Sequence, residues 1–156
     1  MKDPVLADVD PGDFEPWRRF LRAHASITRR LDADLIGSHQ LTLSQYEVML
    51  HLARAPEMKM RMSDLAETVL LSRSGISRLI SGLELDGLVE RVSCSADARG
   101  AYARLTDAGL AKLGRAAKTH REGVLELYLR RFSKRDLKLL AELLGALPGA
   151  SSRRII

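Results

Sequence analysis

Between residues 61 and 106 two short helical patterns stand only a few residues apart and run directly into two strand-like segments, a succession that few folds accommodate. Ser63 opens the first pattern as an N-cap, with Asp64 and Glu67 placing negative charge near its positive end. That pattern ends near Val69, Leu70-Leu71 bridges, and Ser72 caps the second. Ile76, Leu79, Ile80 and Leu83 recur at i, i+3, i+4 and i+7 and form an apolar stripe, while Ser74, Ser77, Arg78 and Ser81 repeat the spacing on the opposite side. Asp86-Gly87 closes this helix, Leu88 to Val92 reads as a strand, Ser93 to Gly100 as a polar loop, and Tyr102 to Leu105 as the returning strand. Thr106-Asp107 then caps another helix. The expected fold is mainly α, a winged helix-turn-helix with a two-stranded β wing.

A polar helix face is often nothing more than a solvated surface. Here its neighbours argue otherwise. No acidic residue occurs from Thr68 to Leu83, the serines permit close backbone approach, and Arg73 and Arg78 have the reach for phosphate oxygens or a guanine edge. The candidate double-stranded DNA contacts are therefore Ser72, Arg73, Ser74, Ser77, Arg78 and Ser81, joined at the wing by Arg99 and by Asp97, placed to orient it.

The run SDLAETVLLSRSGISRLISGLELDGLVER from Ser63 to Arg91, then Asp97-Ala98-Arg99-Gly100, then LTDAG from Leu105 to Gly109, resembles the multiple-antibiotic-resistance regulator (MarR) family. Ala98 departs from the pattern, since the family often has another arginine there. The resemblance implies a homodimeric bacterial transcription factor, usually a repressor, released from an operator by a small ligand or, in some branches, by oxidation or a metal.

Composition agrees with a nucleic-acid partner but does not locate the contact. The chain of 156 residues, 46% hydrophobic, carries a net charge of +5, and an excess of positive charge suits a polyanion. Yet residues 61 to 104 hold six arginines against six acidic residues, and the surplus lies after residue 110, the Arg153-Arg154 tail included. Asparagine is absent, which removes its bidentate reading of adenine.

The flanking segments are helical. Trp17, Phe20, Leu21, His24, Ile27, Leu31 and Leu35 share a stripe after Pro16; a second helix runs from Ser44, its candidate cap, to Arg54 before Ala55-Pro56. Leu110, Leu113, Ala117, His120, Val124, Leu127 and Tyr128 mark a long helix after the wing, and Ser133 with Asp136 opens a last one along Leu137, Leu140, Leu144 and Leu147, closed by Pro148-Gly149. One core cannot satisfy all these stripes, so pairing across a two-fold axis is expected. Residues 1–156 are read as a single domain, 41–105 as the DNA-binding core and 14–37 and 106–147 as dimerisation helices. Trp17, Leu21, Leu137, Leu140, Leu144 and Leu147 are the interface candidates.

His24 and His120 interrupt apolar stripes. Most such histidines are core residues with one hydrogen bond, but beside Trp17 they would suit a small aromatic acid effector. A zinc site using His24, His51 or His120 lacks close ligand spacing. The lone Cys94 excludes an internal disulfide and is either an ordinary wing residue or an oxidant sensor. No enzyme motif is present: H-E-x-x-H, G-x-S-x-G and C-x-x-C are missing, and Gly109 to Gly114 lacks the Lys and Ser/Thr of a phosphate loop. A cofactor is not expected. No apolar span is long enough for a membrane and the N-terminus has no signal-peptide pattern, so a cytoplasmic protein is expected. The alternatives are an oxidant- or zinc-responsive regulator of the same fold, or a winged helix that binds protein and not DNA.

Overall fold

The computed structural model describes residue 10, residues 12 to 94 and residues 97 to 148, with the side chains of residues 94 to 100 outside the description. Its elements are α1 (Glu15–His39), α2 (Leu43–Arg54), β1 (Lys59–Arg61), α3 (Met62–Thr68), α4 (Arg73–Leu85), β2 (Val89–Cys94), β3 (Asp97–Leu105), α5 (Asp107–Leu127) and α6 (Lys134–Gly145).

Helix α2 starts earlier than Ser44 because Thr42 has the better partner. The Thr42 hydroxyl accepts from the Gln45 N–H at 3.2 Å, and Gln45 Oε1 accepts from the Thr42 N–H at 2.9 Å, a reciprocal capping box. Asp32 on α1 accepts from the Leu43 N–H at 2.7 Å and so fastens the first turn of α2 to α1. Ala55, extended before Pro56, ends α2 as expected.

The two wing strands pair as expected, and a third strand that the sequence did not announce joins their sheet, in the order β1-β3-β2. Strand β1 pairs antiparallel with β3, from Lys59 opposite Arg104 to Arg61 opposite Tyr102. Three residues are too few to show an alternation, which is why the pattern hides this strand. Because β1 runs straight into α3, Arg61 stands at the N-cap position without a side-chain cap, and Ser63 donates to Asp64 instead at 3.0 Å.

In the helix-turn-helix, the Leu71 N–H reaches back to the Ala66 carbonyl, with Leu70 between at φ +55°. Ser72 caps α4 by accepting from the Gly75 N–H at 3.1 Å. Gly87, at φ +69°, turns the chain out of α4 into β2. Thr106 accepts from the Gly109 N–H at 3.0 Å and donates to the Gly87 carbonyl at 2.8 Å, so one hydroxyl caps α5 and ties it to that turn. Ser133 and Asp136 form the expected capping box of α6, which ends at Gly145, short of Pro148.

The core lies where α1, α2, α3, α4 and the sheet converge with α5: Leu35, Leu41, Val48, Met49, Leu52, Leu65, Ile80 and Leu83 are wholly buried. At ~1.5 to 3 kcal/mol for each large aliphatic side chain removed from water, this cluster is what fixes the attitude of α4. Helix α6 contributes no buried residue to it.

Candidate nucleic-acid interface

Ile76, Ile80 and Leu83 hold the inner face of α4 against the core, which turns Ser72, Arg73, Ser74, Arg78 and Ser81 outward and leaves Ser77 half-buried. Ser72 and Ser74 share a hydroxyl contact of 3.1 Å, and Arg78 Nε lies 3.4 Å from the Ser74 carbonyl, folded back along its own helix. Ser77 and Ser81 are engaged differently. The Arg91 guanidinium donates to the Ser77 carbonyl at 3.1 Å and to Ser81 Oγ at 2.8 Å, so these two positions meet the wing strand as well as solvent.

An open concavity of about 470 Å³ lies between α4, the start of α3 and the sheet, lined by Arg61, Arg73 and Arg91 with Ser63, Ser77 and Ala101 among its neighbours. Among the described residues no carboxylate lines it. Guanidinium groups around one hollow favour an anion such as a backbone phosphate, with the charge of Arg91 offset by Glu84, 3.4 Å from its Nε. Arg61 and Arg91 were not among the sequence candidates. Arg91 carried a readable signal, since it follows Val89 at the strand period of two and therefore shares its inward face. Leu85, in the last turn of α4, is 89% exposed.

The wing hairpin pairs Val89 with Leu105 through Ser93 with Ala101, then steps to Cys94 with Asp97. The expected polar loop from Ser93 to Gly100 is thus mostly strand, with Asp97 and Arg99 on β3 and residues 98 to 100 facing no partner in β2. The Asp97 and Arg99 side chains and that of Cys94 lie outside the described residues. On the outward face Arg104 pairs with Glu90 at 2.8 Å.

The two candidate effector histidines have different ring neighbours. His24 is exposed on α1 in a row with Phe20 and Trp17, with ring centroids 6.3 and 6.1 Å apart. His120 instead stacks on buried Tyr46 at 4.5 Å. Among the described residues no group of three or more His, Cys, Asp or Glu gathers as metal ligands. Burial pushes His120 below the usual histidine value, and burial followed by the nearby Arg54 charge does the same to His51. Both are therefore neutral at pH 7. An unfolded chain takes up protons on these rings near pH 6.5, before the folded one does, so their contribution to stability is present above that pH and is lost as pH falls toward the depressed folded values. Melting temperature is expected to drop between pH 7.5 and 5.5, and His120→Phe, which keeps a ring on Tyr46, should flatten that slope; an unchanged slope would assign it to other groups.

On α6, Leu137, Leu140 and Leu144 are partly covered within the chain, whereas Leu139 and Leu143 are 53% and 60% exposed, as is Leu147 to a lesser degree. Trp17 and Leu21 on α1 are exposed too. No described helix is long and apolar enough to cross a membrane.

A core-anchored helix with a serine-arginine face, following a short helix and flanked by a β-hairpin, defines the winged helix-turn-helix class. The chain belongs to the MarR family of transcriptional regulators, whose model matches residues 39–100 and to two of whose members it is at least 30% identical over most of its length. AbsC, a MarR family transcriptional regulator from Streptomyces coelicolor, is 32% identical over 87% of this chain and 91% of its own, with a TM-score of 0.83. Sco3205, another MarR family regulator from Streptomyces coelicolor and solved in complex with DNA, is 30% identical over 86% of this chain and 85% of its own, also at 0.83. The fold extends to a mutant MarR from Escherichia coli complexed with operator DNA, 21% identical over 85% of this chain and 93% of that one, at 0.74. No curated protein matches in sequence.

Proposed function

We propose that this regulator is a homodimeric repressor that binds an inverted-repeat operator through paired α4 helices and wings and leaves it when a small ligand binds. The observation that carries the DNA-binding part is the serine-arginine face of α4, which bears no acidic side chain before Glu84 in its last turn, lying beside the hollow of Arg61, Arg73 and Arg91. In this reading Ser72, Ser74 and Arg78 approach base edges, Arg73 and Arg61 clamp a phosphate, and Arg99, oriented by Asp97, enters the minor groove. The DNA complex of Sco3205 supports it. The exposed rows on α1 and α6 support a two-fold partner, which sets half-site centres about one helical turn, ~34 to 36 Å, apart. Such a protein works in the cytoplasm, on chromosomal DNA.

The deciding experiment separates base reading from phosphate contact. Arg78→Ala should weaken a duplex enriched on the wild type from a randomised library by about 1 to 3 kcal/mol while leaving random DNA nearly unaffected. Arg73→Ala should weaken both alike and lower the salt slope by about one ion. Equal losses from both variants on both DNAs would reduce α4 to a nonspecific surface. Ligand release rests on the exposed Trp17, Phe20 and His24 row, where an aromatic acid would find ring faces and an imidazole. Benzoic and phenolic acids that fail to dissociate the enriched duplex would remove that part alone.

A further inference from the structure

We propose that Arg91 is a positioning residue for DNA binding, a strut that holds the wing at a fixed angle to α4 so that the two grooves are engaged together. It rests on the reading of α4 and Arg99 as DNA contacts. The guanidinium of this one side chain spans the outer turns of the helix: it donates to the Ser77 carbonyl and to Ser81 Oγ, and its Nε pairs with Glu84 at 3.4 Å. Glu84 also accepts from the Arg91 backbone N–H at 3.3 Å, so the strand's backbone is tied as well as its side chain.

The strand period explains why the group is there. Val89 faces the core, and Arg91 continues that face past the point where apolar packing stops. Opposite it on β3 stands Ala103, with Ala101 next on the same face, and these short side chains leave the space beneath α4 that the guanidinium occupies. Outward of Val89 and Ala103, no described side chain of the hairpin is buried. Leverage makes the tie matter. From Arg91 to Cys94, the end of β2, the strand runs three residues, ~10 Å at ~3.3 Å per residue, so a swing of ~20° would carry that end ~3.5 Å, beyond the tolerance of a hydrogen bond. The Arg91 and Glu84 side chains are 40% and 42% exposed, so their ion pair adds little to global stability. What the network supplies is geometry. Ser81 belongs to it as an acceptor.

Two measurements test the strut, one of them without DNA. In a Cys94→Ser background, spin labels at Leu85→Cys on α4 and Ser93→Cys on β2 report the distance between helix and wing. The distribution should be narrow with Arg91 and broad in both Arg91→Ala and Arg91→Lys, because a lysine keeps the charge but not the fork. With the enriched duplex carrying A·T or G·C flanks, Arg91→Ala should lower affinity about ten-fold, the size of one lost groove contact. It should also erase the A·T preference as Arg99→Ala does, and the double variant should be no worse than the worse single. Melting temperature should stay close to that of the wild type. Unchanged distance distributions, wild-type binding by Arg91→Lys, or independent multiplication of the Arg91 and Arg99 effects would each overturn the strut. If Arg99→Ala alone leaves the flank preference intact, the minor-groove reading fails, and the spin-label distances still decide the strut.

Discussion

Leu143→Glu, alone or with Leu139→Glu, is expected to yield a folded monomer that has lost operator binding although every DNA-facing side chain remains. Both leucines are more than half exposed within the chain, and α6 has no buried residue. Burying a leucine is worth ~1.5 to 3 kcal/mol, and a two-fold axis places every substitution in the interface twice. Two desolvated carboxylates then oppose the association by several kcal/mol more. Loss of the partner removes the linkage between half-sites, which is worth ~10² to 10⁴ in avidity. The proposed sequence-stripe positions Leu140 and Leu144 are less clean probes, since their partial cover within the chain mixes folding with assembly. Light scattering and binding to the enriched duplex, on the same samples, check the prediction. A dimer of unaltered affinity would place the two-fold contact elsewhere.

The second large effect concerns folding. Gly109 sits in the first turn of α5, pressed against the turn that leads from α4 into the wing. A Cβ there would fall on the Leu88 carbonyl oxygen and lie 2.7 Å from Leu105 Cδ1. The carbonyl is backbone and cannot swing aside, so either α5 or the start of β2 must move. Gly109→Ala is expected to cost about 3 kcal/mol or more. For a chain of this length that lowers the melting temperature by roughly 10 °C. Gly114, one and a half turns further along α5, has nothing within 4 Å of its would-be Cβ. Its alanine variant should be neutral or stabilise by up to about 1 kcal/mol. Thermal unfolding of the pair settles the matter, and similar effects at both positions would mean that α5 does not meet the wing turn so closely.

The elements that were legible are those whose cause lies within a few residues. Ser72, Thr106 and Ser133 cap their helices because a hydroxyl meets an N–H three positions on, and the Ile76, Ile80 and Leu83 stripe is a property of one helix's own pitch. The misplaced start of α2 belongs to the same class, for Thr42 and Gln45 spell a capping box two residues before Ser44. Ser63 looked like a cap only because the strand before it was invisible.

By itself, then, the sequence determined the order of helices around a wing, the outward face of α4 and the family, since periodicity, capping and a contiguous motif are all short-range properties of the chain. Tertiary structure alone decided the rest. It paired β1 with β3 across more than forty residues, brought Arg61, Arg73 and Arg91 around one hollow, turned Ser81 toward Arg91, gave His24 and His120 different ring neighbours, and left Leu139 and Leu143 open while largely covering Leu140 and Leu144. Each of these depends on how rigid elements settle on a common core. That is set by the sum of many weak apolar contacts among residues far apart in the chain, and no local pattern encodes which side chains will meet.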